Sequence, residues 1–257
     1  MSTTPNPLDF TGKVAIVTGG TRGLGRMIVQ TLLEAGCTVE TCGRTAPETL
    51  PAANGREARF SALDVRDPEA VSAFVAQVGE RHGRLDILVN NAGGSPQADA
   101  ATASPRFSSA IIALNLLAPL YMAQAAHPLL VAAPDGGSII NIASVSGVRP
   151  SPGTAAYGAA KAGLINLGES LAQEWGPHIR VNSVVLGLME TETSGETYGS
   201  DESRAQIADT LPLRRFGTGT DVAQAVLFLA SPMASYISGA QIAVTGGGER
   251  PVFLDLR

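Results

Sequence analysis

From near its start to near its end, the chain alternates short unbroken apolar runs with stretches in which apolar residues recur every three to four positions. The short runs predict buried strands, and the 3.6-residue period predicts amphipathic helices. On this reading "KVAIVTG" (13–19) is a strand running into glycines, and 23–36 is a helix ended by Gly36. Further strands are expected at "TVETC" (38–42), "ARFSALDV" (58–65), "LDILVNNAG" (85–93), "GSIINIAS" (137–144), "IRVNSVV" (179–185) and "AQIAVTGG" (240–247). Helices are expected from Asp67-Pro68 to about Arg81, over 104–133 with proline breaks, over 154–176 as far as Gly176-Pro177, and over 221–231. Residues 186–215 have weak periodicity and many Ser, Thr and Glu, and predict a mobile lid.

Continuous apolar strands in unbroken β-α alternation predict an α/β fold, a doubly wound parallel sheet with helices on both faces. Composition shows no break along the chain. The expectation is one domain over 10–257, preceded by a flexible tail at 1–9. Ligands in such folds bind beyond the carboxyl ends of the strands, so the residues that follow each strand carry the candidate chemistry.

The first strand is followed by "TGGTRGLG" (18–25), with Gly19, Gly23 and Gly25, and with Thr21, Arg22 and Leu24 between them. Glycines there let the backbone turn sharply and approach a pyrophosphate, which then meets the N-terminus of the next helix. The second strand is followed by Gly43-Arg44. An acid at this point would hold a ribose 2′-hydroxyl. Arg44 and Arg22 with no acid suit a 2′-phosphate, so NADP(H) is favoured over NAD(H); the alternative is that both arginines are simply solvated. Glu40, the nearest acid, lies mid-strand. Asp64-Val65 after the third strand are candidates for the adenine, and Asn91, Ala92 and Gly93 follow the fourth. Ser144 ends the fifth, and Tyr157 and Lys161 lie on the helix beyond it. A spacing of four puts those two side chains on one helix face.

That lysine is informative. The chain has two lysines, Lys13 and Lys161, against sixteen arginines. Ammonium is a compact charge on a slim stem and guanidinium a wide fork, so position 161 calls for the former. With four tyrosines and two lysines, roughly 0.03 chance Tyr-x-x-x-Lys matches are expected, which makes the motif specific here.

Together, Thr18-Gly19-x-x-x-Gly23-x-Gly25, Asn90-Asn91-Ala92-Gly93, Asn115, Ser144 and Tyr157-x-x-x-Lys161 resemble the short-chain dehydrogenase/reductase family over about residues 10–248. The resemblance implies a Rossmann-type domain with a seven-stranded sheet, usually a homotetramer, with a dimer as the alternative. It implies Tyr157 as general acid or base, Ser144 as the group that polarises the substrate oxygen, and Lys161 on the nicotinamide ribose. Asn115 would hold a water linking Lys161 to solvent. Thr191, with Gly187 and Met189 on the same loop, would meet the nicotinamide end. A unit charge about 4 Å from the Tyr157 phenol, at an effective dielectric of about 20, is worth roughly 4 kcal/mol, which lowers its pKa by about three units. The family usually has Pro-Gly at 186–187; Leu186-Gly187 here predicts a less rigid entry to the lid, with Leu186 lining the nicotinamide pocket.

The resemblance leaves the substrate open. Carrier-protein reductases of this family usually carry basic residues before the fifth strand and after Tyr-x-x-x-Lys. Here "HPLLVAAPDGGS" (127–138) has no Lys or Arg, and Gln173 stands where arginine is usual. That argues against 3-oxoacyl-[acyl-carrier protein] as substrate and leaves a free ketone, a steroid or a coenzyme A thioester. Ser95, Pro96, Val145, Val148, Pro150, Leu188, Met189 and the 192–212 lid are candidates for a mainly apolar pocket. The rival of another class is a non-catalytic NADP(H) sensor, which needs the glycine loop but not the tetrad. A sugar-nucleotide epimerase would need a further C-terminal domain, and an enoyl reductase a wider Tyr–Lys spacing.

Charge and composition narrow the partners. A net charge of −5 leaves no electrostatic footprint for nucleic acid or an anionic membrane. Cys37 and Cys42 read as small core residues, and His82, His127 and His178 have no ligand spacing, so no metal is predicted. "MSTTPNPLDF" lacks the regions of a signal peptide, which points to a cytoplasmic protein. No charge falls between Arg106 and Asp135, long enough to span a bilayer. Asn115, Gln124, His127 and the prolines at 119, 128 and 134 favour a buried helix instead, with a second subunit one candidate for its cover.

Overall fold

Val14–Thr18 (β1) is buried at every position, and its alternation splits the interior in two. Ala15 and Val17 face one hydrophobic cluster, Val14 and Ile16 the other. The computed structural model of the chain describes residues 6–192 and 194–250. Its main sheet adds Thr38–Gly43 (β2), Arg59–Ala62 (β5), Ile87–Asn90 (β6), Gly137–Ser144 (β7), Ile179–Leu186 (β8) and Gln241–Val244 (β9). The spatial order is β5-β2-β1-β6-β7-β8-β9, every neighbouring pair parallel. The order reverses between β1 and β6, and at that switch point the carboxyl ends open a crevice.

Helices Gly23–Glu34 (α1) and Gly219–Ala230 (α8) cover one face. Pro68–His82 (α2), Ala118–Val131 (α4) and Ala155–Trp175 (α5) cover the other. Local chemistry sets their ends. Asp67 accepts from the Glu69 and Ala70 amides, and α2 stops at a left-handed Gly83. A reciprocal capping box between Thr218 and Asp221 starts α8 two residues before the expected point.

Three expectations are corrected. The β-α alternation is broken between β2 and β5, where a small hairpin, Ala52–Ala53 (β3) with Arg56–Glu57 (β4), replaces a helix. Pro47, Pro51 and the left-handed Asn54 and Gly55 forbid a helix there. The 104–133 helix is not broken at its prolines. Pro105–Ile112 (α3) passes through a π segment, Ala113–Leu117, straight into α4. Pro119 stands in the first turn of α4, next to that wider turn, and Pro128 lies inside the helix. The third strand ends at Ala62 rather than 65, because the Asp64 carboxylate turns the backbone by accepting from the Arg66 amide.

By length and composition Pro105–Val131 could cross a membrane. Its inner face, with Met122, Ala126 and Leu130 fully buried, belongs to the core against α2. In the expected tail, Leu8 packs on the core and Asn6 accepts from the Leu8 amide; residues 1–5 lie outside the described residues. Cys37 and Cys42 are buried and free, their thiols pushed up to about 12 by burial.

Candidate functional site

The glycine loop between β1 and α1 is held open by its neighbours. Gly19 and Gly23 take positive φ, +66° and +52°. A Cβ on Gly25 would lie 2.3 Å from the Gly19 carbonyl oxygen. The Asn91 side-chain amide donates to the Thr18 and Gly19 carbonyls at 2.9 and 3.2 Å. In return, Thr18 Oγ1 accepts from the Asn91 and Ala92 amides, both at 3.0 Å. The loop after β6 therefore clamps the loop after β1.

Helix α1 starts without a cap. The Arg22 side chain makes no capping bond, and no acid stands in the first turn. Its leading amides are available to an anion. The only such contact among the described residues comes from the 186–215 segment, where the exposed Glu192 carboxylate accepts from the Gly23 amide at 3.5 Å. Gly20 was not among the expected residues, yet its amide donates to Thr41 Oγ1 at 3.0 Å and a Cβ there would lie 2.4 Å from that oxygen. Arg26 ties the glycine loop to the β2–β3 connection through the Thr21 and Thr49 carbonyls.

At the end of β2, Gly43 is followed by an exposed Arg44, and Arg22 is exposed as well. Glu40 points elsewhere. It is fully buried, and its Oε1 takes Arg81 and His82 of α2 at 2.6 and 2.7 Å. Asp64 lies by Arg66, whose side-chain hydrogen bonds hold its carboxyl down to about 2; nearby Arg44 adds to the effect. Val65 is buried in the core.

Ser144, Tyr157, Lys161 and Asn115 meet at the carboxyl end of β7. Lys161 is 3% exposed and donates to the Ile142 carbonyl at 2.8 Å, with its Nζ 5.6 Å from the Tyr157 ring centre. Buried Asn115 sits in the π segment, where its amide donates to Gly94 and Ile111 carbonyls and its Oδ1 accepts from the Gly94 amide at 2.9 Å. Wide helical turns of this kind recur at functional sites. A Cβ on Gly93 would lie 2.7 Å from Asn115 Oδ1 and 3.2 Å from Lys161 Nζ, so both polar groups crowd that glycine.

The electrostatics differ from the expected depression of Tyr157. Burial pushes its hydroxyl up, and interaction with the Ser144 hydroxyl opposes this only in part. The Lys161 ammonium is hydrogen-bonded to a backbone carbonyl and stands over the Tyr157 ring, 5.6 Å from its centre. Burial also pulls Lys161 down to about 8.

Leu186 is not in the lining of the cavity described below. It is the last residue of β8, buried in the core, and the Gly187 amide extends the ladder to Val244 at 3.0 Å. Gly187 lies so close to Thr245 that a Cβ would be 2.9 Å from its Cα. The entry to the 186–215 segment is held, not loosened. Its two ends are joined by Gly217, whose amide donates to Leu188 and whose carbonyl accepts from Glu190. Buried Met189 packs on Gly217, and the Thr191 amide donates to Ser194 Oγ at 2.7 Å. The segment contains two helices, Ser194–Tyr198 (α6) and Asp201–Thr210 (α7).

Val145, the residue after Ser144, lines a cavity of about 180 Å³, though Ser144 and Tyr157 themselves are not in its lining. Val145, Val148, Leu188 and Leu211 supply apolar walls, and Arg149 and Glu249 also line it. Ser95, Pro96, Pro150 and Met189, expected there, are not in its lining. Tyr198 of α6 is near enough to Tyr157 to raise it further. Spacing gave no signal for Tyr198, Arg149 or Glu249, because their proximity arises across separate loops.

Comparison with known proteins follows the same lines. A family model described as enoyl-(acyl carrier protein) reductase matches residues 19–249. The chain is 34% identical over 240 residues to 2-dehydro-3-deoxy-D-gluconate 5-dehydrogenase of Escherichia coli, covering 92% of this chain and 95% of that one. It is 36% identical over 243 residues to the 3-oxoacyl-[acyl-carrier-protein] reductase FabG of Chlamydia trachomatis, covering 91% and 96%. Its fold is similar to the Pseudomonas aeruginosa RhlG/NADP active-site complex, with TM-score 0.87, 30% identity, and 95% and 99% of the two chains covered.

Proposed function

The chain belongs to the short-chain dehydrogenase/reductase family and is an oxidoreductase, and from that premise we propose that it interconverts a ketone and a secondary alcohol with NADP(H). The observation that carries this reading is the meeting of Ser144, Tyr157 and Lys161 at the carboxyl end of β7, with Asn115 and Lys161 both against Gly93.

The residues fit a dinucleotide. The positive-φ glycine loop leaves room for a phosphate, and the uncapped start of α1 offers amides to it. Gly19, Thr21, Arg22, Gly23, Leu24 and Gly25 would hold the pyrophosphate, and Asn91, Ala92 and Gly93 the adjoining ribose side. Asp64 and Val65 stay candidates for the adenine end, and Gly187, Met189 and Thr191 for the nicotinamide end. Arg44 and Arg22, with Glu40 turned into the core, favour the 2′-phosphate of NADP(H). When bound, the nicotinamide supplies or accepts the hydride.

The chain's own groups do the proton work. Ser144 holds the substrate oxygen. Tyr157, kept protonated by its buried setting, donates its hydroxyl proton to that oxygen in reduction and recovers it in oxidation. Lys161 holds the ribose and, with Asn115 and a water, returns the proton from solvent. The apolar walls by Ser144 suit a free ketone, a steroid or a coenzyme A thioester over a carrier protein, since no Lys or Arg falls in 127–138. The reading includes a cytoplasmic homotetramer. Its support is the family resemblance, the charge-free α3–α4 stretch and the exposed alanines 155, 159 and 162 of α5.

Oxidation of NADPH against small ketones, acetoacetyl thioesters and steroid ketones tests the proposal. Tyr157→Phe should cut turnover by roughly 10²–10⁴-fold with NADPH binding retained. Unchanged turnover in that variant would sink it, and tight NADPH binding with no turnover on any ketone would favour a sensor instead.

A further inference from the structure

The cavity beside Ser144 carries an ion pair whose two halves are anchored differently. Arg149 Nη2 donates to Glu249 Oε1 at 2.5 Å, and Nη1 donates to the Pro150 carbonyl at 2.9 Å. The side chains are 39% and 43% exposed, so both sit at the rim. The segment that carries Arg149 touches the candidate site: Val145, next to Ser144 in the chain, lines the cavity, and a Cβ on Gly147 would lie 3.1 Å from Lys161 Cβ.

Arg149 stands on a fixed segment. Its amide and that of Val148 both donate to the Val145 carbonyl at 3.0 Å. Gly147, two residues earlier, is pressed on α5, where a Cβ would lie 2.8 Å from the Ala162 amide nitrogen. Glu249 instead follows three successive positive-φ glycines, Gly246, Gly247 and Gly248, at +62°, +96° and +79°. Backbone hydrogen bonds tie Gly246 to Leu213 and Gly248 to Thr245, so the acid leaves by rotation of its own half-exposed side chain while the arginine stays on Pro150.

We infer that Arg149 is a substrate-recognition residue, and that the substrate is an oxo acid, or the matching hydroxy acid, whose carboxylate replaces Glu249 on the Arg149 guanidinium. This rests on the oxidoreductase reading above and names its substrate class. The exchange is carboxylate for carboxylate, so the arginine never loses its ion partner. Glu249 takes one hydrogen bond from the guanidinium while Nη1 is on Pro150, and a substrate carboxylate facing Nε and Nη2 takes two. The apolar walls hold the carbon chain between the two ends, and the ketone carbon faces Tyr157. A neutral ketone gains only the walls. A cationic ketone would need Arg149, the fixed partner, to leave.

The test pairs oxo acids with their neutral esters. Acetoacetate, levulinate, 5-oxohexanoate and 7-oxooctanoate are compared with their methyl esters as substrates, with NADPH and NADH each supplied. For the acid of best-fitting length, kcat/KM should exceed that of its ester by roughly 5-fold, the range of a half-exposed ion pair for which Glu249 competes. R149Q should bring that ratio towards one, while E249Q should keep it or raise it. Esters reduced as well as acids, a preference for 1-diethylamino-3-butanone, or an equal loss for acid and ester in R149Q would each overturn the inference and leave the oxidoreductase reading intact. Calorimetric titration of the same acids into NADP⁺-saturated protein gives a readout independent of turnover. Binding that needs both the carboxylate and Arg149, with no ketone turned over, would support the recognition site and sink the enzyme reading. No carboxylate-dependent binding would overturn the inference whatever the turnover.

Discussion

At the scale of single residues, Lys161 is the most consequential group. Its ammonium is buried and holds one carbonyl, and burial pulls it from 10.5 to about 8. The unfolded chain therefore binds the proton more tightly than the folded one. Between pH 8 and 10.5 the unfolded state carries more protons, so stability rises with pH there, by roughly 3 kcal/mol in all. In urea unfolding across this range, the wild type should gain on K161M as pH rises; a difference that stays constant with pH would refute the assignment. The same titration removes the cation from the site, so kcat/KM for ketone reduction should fall above about pH 8. Tyr157 does not produce that limb, because burial moves its hydroxyl up. Magnitude reconciles this with the expected lysine effect. The expected effect assumed a charge about 4 Å from the phenol, whereas the ammonium is 5.6 Å from the ring centre and hydrogen-bonded to the Ile142 carbonyl, so burial wins.

At the scale of elements, the site depends on how closely loops approach helices. Gly93 lies where the loop after β6 meets the π segment and α5. G93A would force Asn115 and Lys161 apart, and buried groups repack poorly. The expected loss is about 1–3 kcal/mol of stability. A misplaced catalytic group adds up to about 10²-fold in kcat/KM. The comparison is G43A. A Cβ at Gly43 meets only the Phe60 ring, at 3.6 Å, so its unfolding free energy should stay within about 0.5 kcal/mol of wild type. Equal midpoints for the two variants would mean that the Gly93 approach is not constrained. The β3–β4 hairpin belongs to this scale too. With no helix between β2 and β5, Arg26 ties that connection to the glycine loop.

At the scale of the whole molecule, the crevice at the β1–β6 switch point couples cofactor binding to stability. A ligand held at 100 times its Kd stabilises the native state by about 2.7 kcal/mol. At equal concentrations NADPH should raise the thermal midpoint more than NADH, and Arg44→Asp should reverse that order. A wild type stabilised equally by both, or better by NADH, would overturn the preference read from Gly43-Arg44. Light scattering on the eluting protein gives the assembly state, and a monomer would contradict the proposed tetramer.

The parallel sheet and its crevice were legible in the sequence because each rests on local pattern, and the candidate constellation was legible through the family resemblance of its motifs. Apolar runs mark buried strands, glycines mark the turn after β1, and a spacing of four puts Tyr157 and Lys161 on one face whatever surrounds them. Tertiary structure alone decided what depends on approach between distant segments. Arg149 and Glu249 are 100 residues apart. Glu40 meets Arg81 and His82 across the layer between sheet and helix. Tyr198, on another helix, packs on Phe216 and adds to the upward push on Tyr157. The direction in which burial moves Tyr157 and Lys161 likewise follows from the packing around them, since desolvation depends on the atoms that displace water and not on the residue's neighbours in the chain.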